Sequence, residues 1–240
     1  MRLAPVVVAA AMVLTGCSDT VVGSDGPQPG VAAEVDGELL TIDDVDSIIE
    51  EYCVLWAEWE DATPIAKSTL RTLLVRSWVH SIGVERLADE AGIPTLERTE
   101  AELEAYWADL GEIDEGNREA LAAFTRLQDL LGEPLVTLGT EQLAEESDTP
   151  PSGEAAQARG LELVTEWLAD QDVVVNPAFG SLEDGEVVLG GDSLSVPVSG
   201  FATTAAELEP APEHLNSLPA VQRCGPEATP APPAQPLPVQ

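Results

Sequence analysis

Basic residues are scarce in this chain. There are 10 Lys and Arg against 44 Asp and Glu, a formal net charge of -34 over 240 residues, and Lys67 is the sole lysine. A surface this acidic repels nucleic acid and anionic lipid head groups, which excludes nucleic-acid binding. The surplus of acid reads as a solubilising shell or, alternatively, as a match for a basic partner. Histidine is nearly absent. His80 and His214 lack metal-ligand spacing to a Cys or to each other. There is no D-x-D-x-D-G loop, nucleophilic-serine elbow, phosphate-cradling Gly-rich loop or dinucleotide fingerprint. The expectation is therefore a non-enzyme with no metal and no cofactor. No stretch is long and apolar enough to span a bilayer; the run Leu3 to Val13 is too short.

That short run has a different meaning. Arg2 precedes it as a positive start, and it ends in Leu14-Thr15-Gly16-Cys17. This resembles the lipobox of bacterial lipoproteins. The resemblance implies that residues 1–16 are a signal peptide, that cleavage falls before Cys17, and that its thiol carries a diacylglycerol. An ordinary secretory signal that contains a Cys is the alternative. Two acyl chains, at about 0.8 kcal/mol per buried CH₂, anchor stably where one does not. The implied location is the extracytoplasmic face of the cell membrane, with the lipid as the membrane contact. Residues 17–30 form a tether rich in Gly, Pro, Ser and Asp, with a reach of roughly 40 Å when extended.

The body begins at residue 31. VAAEVDGELLTIDDVDSIIEEYC reads as strand, turn, strand and capped helix. Asp36-Gly37 is a hairpin signal. Thr41 offers an N-cap, and Asp43 and Asp44 sit where the helix dipole favours them. Val45, Ile48, Ile49, Tyr52, Trp56 and Trp59 form one apolar stripe at helical spacing. Thr63-Pro64 sets a second helix start. The helix that follows is apolar nearly all round through Leu70, Leu74, Val75, Trp78, Val79 and Ile82, which predicts a central buried helix ending at Gly92. Its few cations should pair with surrounding carboxylates. Thr95 is the expected cap of a helix over 96–109. Further helices are expected over 117–131, ended by Gly132-Glu133-Pro134, and then over 135–146 and 154–171.

The opening pattern, V-x-G-x-x-L followed by T-x-x-D-V in this chain (Val35 to Val45), resembles the start of the SurA/PrsA-type envelope chaperones. Gly92-Ile93-Pro94-Thr95 resembles an inter-helix turn of that family. Asp172-Val173-Val174-Val175-Asn176-Pro177-Ala178-Phe179-Gly180 resembles the V-x-V-N-P segment after the last helix of SurA-like lipoproteins, with Ala178 in place of a basic residue. The resemblance implies a mostly α, multi-helix SurA-N-like domain over 31–198. It implies a chaperone-like activity toward unfolded or secreted polypeptides through an apolar groove. A structural or adaptor lipoprotein with one defined envelope partner is the alternative. The parvulin-type isomerase domain often inserted in the family needs paired His and a Gly-rich signature. Neither occurs, so isomerase activity is only a minor alternative.

A lone strand leaves its N–H and C=O groups bare. Residues 32–36 are therefore expected to pair with 172–176, giving a small β element built from the N-terminal and C-terminal strands. Residues 186–189 and 194–198 are weaker strand candidates around Gly190-Gly191. Residues 199–225 read as loop, and 226–240 as a disordered Pro/Ala tail. With Cys17 assigned to the lipid, Cys53 and Cys224 form an even pair in an oxidising compartment, so a disulfide is expected. The alternative is a buried Cys53 and a free Cys224. Five Trp residues fall on predicted helix faces, where core packing is the plain reading for most. Trp56, Trp59, Trp107 and Phe124 are the candidates to line a client groove. Oligomeric state is not encoded in any of these features.

Overall fold

Asp36 and Gly37 both take positive φ, 49° and 85°, the conformation that closes a two-residue hairpin with the twist of its strands. They join Val31–Val35 (β1) to Glu38–Thr41 (β2), with Val35 opposite Glu38 and Glu34 opposite Leu39. Four of the five β1 residues are buried. The computed structural model of the protein describes residues 28–58, 62–108, 118–146, 149–188 and 212–226. Cys17, the signal peptide, Trp59, residues 194–198, residues 199–211 and residues 227–240 lie outside them.

The far edge of β1 carries the predicted partner. Val173–Val175 (β4) runs antiparallel to β1, with Ala33 opposite Val175 and Val35 opposite Val173. Asn176 fastens the join twice. Its main-chain N–H donates to the Ala32 carbonyl and its side-chain Nδ2 to the Val31 carbonyl, each at 2.9 Å. The sheet order is β2-β1-β4.

The remainder is helical, and the fold is mostly α with small antiparallel strand pairs. Ile42–Glu58 (α1) starts at Thr41, whose Oγ1 accepts from the Asp44 N–H while Asp44 Oδ2 accepts from the Thr41 N–H, both at 3.1 Å. That reciprocal pair satisfies two donors the helix cannot satisfy itself. Lys67–Ala91 (α2) is the central helix. Val75, Val79, Ser81 and Val84 are at most 1% exposed. Gly92 ends it at φ 70°, and the Ile93 N–H returns to the Ala88 carbonyl at 2.8 Å. Glu100–Trp107 (α3), Arg118–Leu130 (α4), Glu133–Glu146 (α5) and Gly153–Leu168 (α6) complete the body.

Several boundaries depart from the sequence reading. Thr63-Pro64 does not start α2. Ile65–Ala66 (β3) pairs with Arg223–Cys224 (β7), and the Thr63 carbonyl accepts from Trp56 Nε1 at 2.8 Å. That backbone is held outside the helix, so α2 begins at Lys67. Thr99, not Thr95, caps α3. Thr99 has Glu102 three residues on and forms a reciprocal box with it, whereas Thr95 has Arg98 there. Glu133-Pro134 opens α5 instead of ending α4, since Pro fits a first helical turn. The segment read as loop contains Pro212–Ser217 (α7), a 3₁₀ turn at Ala220–Gln222 and β7. Glu186–Val188 (β6) pairs with Ser181–Glu183 (β5), across Asp184 and Gly185, both at positive φ.

The segment that holds α7, the turn and β7 is tied covalently to the helical body. Cys224 is bonded to Cys53 on α1, with Cα atoms 4.8 Å apart, and is 2% exposed. Arginines provide a second set of ties. Arg71 reaches Asp46 on α1 at 2.7 Å, Arg76 reaches Glu186 on β6 at 2.7 Å, and Arg98 grips Asp129 on α4 through two hydrogen bonds of 2.6 and 2.7 Å. Arg118 pairs with Glu104 on α3. In a chain this acidic, these cations join one element to another and relieve local repulsion between carboxylates, while Arg159 pairs with Glu162 and Glu166 within α6.

Candidate functional site

An open cleft of about 530 Å³ lies between β2, α1, α2 and α4. Its floor is apolar: Leu40 from β2, Ile48 from α1, Leu74 and Ile82 from α2, and Leu127 and Leu130 from α4, each at most 7% exposed. The cleft stays open for a local reason. Two of the α4 positions that face it, Ala120 and Ala123, carry only a methyl group. Trp78, half-buried, forms one wall.

The rim is acidic. Glu38, Asp44, Glu85 and Glu119 stand around the mouth with Arg126 as the one lining cation. Arg126 Nη2 pairs with Glu85 Oε1 at 2.6 Å, and Arg86 pairs with Glu38. Asp44 is engaged in the Thr41 cap. Chemically the arrangement offers a water-excluding floor for apolar side chains and a negative border for cations. Its volume is within the range of pockets that hold small ligands or short peptide segments.

Of the aromatic residues singled out from sequence, Trp56, Trp107 and Phe124 lie elsewhere. Trp107 is 5% exposed, packs with Leu55 and Leu121, and its Nε1 donates to Thr125 Oγ1 at 3.3 Å. Trp56 stacks on Tyr52 with centroids 5.8 Å apart and donates to the Thr63 carbonyl. Phe124 meets Tyr52 at 5.4 Å in a tilted contact. Burial of this cluster holds the Tyr52 hydroxyl above its usual titration range. These three residues bind α1 to its neighbours and do not line the cleft. Trp78 does, and a helix apolar on every side gives no periodic signal that picks out its one open wall.

On α2, His80 is 6% exposed and its Nε2 has no hydrogen-bond partner. Burial, helped by the Arg76 charge and opposed by Glu186, lowers its pKa to about 4. In the unfolded chain His titrates near 6.5. The unfolded state therefore binds the proton that the folded state refuses, and stability is lost as pH falls from about 6.5 through 4. His80→Gln should remove that part of the acid sensitivity. Urea unfolding of both proteins at pH 7 and pH 4.5 should show the wild type losing about 2–3 kcal/mol more than the variant. Equal losses would assign no role to His80.

Among the described residues there is no group of three or more His, Cys, Asp or Glu placed to hold a metal ion. No helix among them is long and apolar enough to cross a membrane. Comparison with protein-family models, with curated proteins and with solved structures finds no match to this chain.

Proposed function

We propose that this chain is a lipid-anchored, extracytoplasmic chaperone-like protein of the SurA/PrsA type, without the isomerase domain and without catalysis. Its role is to hold unfolded or exported polypeptides by their apolar side chains. The observation that carries this reading is the apolar cleft between α1, α2 and α4 with its acidic rim. The β1–β4 clasp joins the two segments, at 31–45 and 172–180, that carry most of the family resemblance. Burial of apolar surface is non-directional, so many clients fit one floor, and the acidic border keeps the holder soluble and prefers basic or neutral ones. In this reading the surface, and no single residue, performs the function.

An adaptor role has one observation in its favour. Outside the cleft, the large exposed apolar residues, such as Val54, Leu96 and Val221, are dispersed along the chain. A small cleft suits one short motif of a defined partner.

Aggregation of a reduced, unfolded model protein separates the two. The chaperone reading expects suppression at a few-fold excess, weakened by Ala123→Trp, which fills the cleft from an exposed position. For a basic client, added salt should weaken it further. No suppression at several-fold excess would end this reading in favour of the adaptor.

A further inference from the structure

The cleft has a border that its side chains do not account for. β2 is the edge of its sheet, and Glu38, Leu39 and Leu40 all line the cleft. The register determines where the main-chain groups of β2 point. In an antiparallel pair closed by a two-residue turn, Val35 and Glu38 exchange hydrogen bonds, and the next pair, Glu34 and Leu39, does not. The β4 side of β1 agrees. The Ala32 carbonyl accepts from Asn176 and the Asp36 N–H donates to Asp172, so the even-numbered residues of β1 face β4. Leu39, opposite Glu34, therefore directs its N–H and C=O away from β1, toward the open edge. Its side chain is 49% exposed. The next outward N–H, that of Thr41, is occupied by Asp44. The opening is one residue wide and offers one donor and one acceptor.

We propose that this edge docks an extended polypeptide segment from another protein, apolar at its centre and flanked by Lys or Arg, through main-chain hydrogen bonds to Leu39. The segment lies beside β2, alternate side chains enter the cleft, and its cations meet Glu119, Asp44 and the rest of the rim. This inference rests on the client-binding reading above and adds its mode of recognition. Charge complementarity selects the occupant: of the four rim carboxylates, Glu85 is paired with Arg126 and Glu38 with Arg86, which leaves a net negative border at Glu119 and Asp44. Residues 18–30 and 226–240 of this chain do not fit. They contain no Lys or Arg, and the latter hold six Pro residues from Pro226 to Pro238, which lack the N–H that strand addition needs. A single bridging residue gives weak, reversible docking that a wide variety of sequences can satisfy, because the hydrogen bonds are made by main chain.

The test uses the full chain and a fluorescent peptide, Lys-Lys-Leu-Val-Ala-Leu-Val-Lys-Lys, followed by anisotropy. Two N-methylated versions block the odd or the even central amides. One version should lose about tenfold in affinity and the other little, since only one edge of the peptide faces β2. Leu39→Pro, which removes the outward N–H and leaves the β1 ladder intact, should lower affinity for the unmodified peptide similarly. Replacing the four Lys by Glu should abolish binding. Equal binding of both methylated peptides overturns the proposal without help from any variant. So does a chain that suppresses client aggregation yet ignores the unmodified peptide, and in that case the chaperone reading survives alone. Neither suppression nor peptide binding overturns both.

Discussion

Gly139→Ala should cost at least about 3 kcal/mol, read as a fall in the urea midpoint, and should leave much of the protein unfolded at ordinary temperature. α5 and α6 cross at their two glycines. A Cβ at 139 would overlap the Ala156 carbonyl oxygen and stand 2.7 Å from the Gly160 main-chain nitrogen. A Cβ at 160 would overlap the Leu135 carbonyl oxygen. These obstacles are backbone atoms of rigid helices, so no side chain can rotate aside, and the pair must separate. Separation uncovers Leu135 and Val164, which are at most 1% exposed. Gly153→Ala supplies the control. It sits at the start of α6 with nothing within 4 Å of the added carbon, and should be neutral or stabilising by about 0.4–1 kcal/mol. Equal effects at the two positions would mean that the helices do not approach as closely as described.

The double variant Cys53→Ala/Cys224→Ala should lose about 2–4 kcal/mol, seen as a lower melting temperature in non-reducing buffer. The bond spans 171 residues, and the loop-entropy model gives about 4–5 kcal/mol for a loop of that size, an upper figure because strain and residual structure reduce it. The loss should be local at first. β7 is two residues long and pairs only with the two residues of β3, so without the bond the segment 212–226 should become accessible to protease before the helical body does. Thiol titration of Cys17→Ser protein without reductant should find no free thiol, and two would refute the bond.

How much of this was readable in advance depends on the range of the interactions. The β1–β4 clasp followed from a backbone argument: β1 has a second edge that β2 leaves unpaired, and the Val-rich segment at 173–175 needs a partner, so the two meet although they lie far apart in the chain, since unpaired backbone is costly. The α1 start was equally readable, because Thr41 and Asp44 form their cap within four residues. Thr95 failed as a cap because a better box lay four residues on, at Thr99 and Glu102. Thr63-Pro64 failed because its backbone belongs to a pairing with Arg223–Cys224, far along the chain. The ordering of residues 212–224 has no local signal, since it depends on a bond to Cys53.

The groove shows the same division. Sequence pattern marked the apolar faces and the acidic excess, and both reappear as its floor and rim. Trp56, Trp107 and Phe124, which it singled out, do not line this cleft, because periodicity records which residues avoid water and not which neighbour covers them. Trp56, Trp107 and Phe124 are covered by α1, α4 and the Thr63 turn, while Trp78 is left at the edge of a gap that two alanines on α4 fail to fill. Composition and spacing thus determined on their own the helical class and the sign of its surface, since each depends on neighbours a few residues apart or on a sum over the chain, while the need to pair bare backbone pointed to the strand that closes it. Which apolar wall remains open was decided only when four elements packed together, because a cavity is a property of the distance between helices.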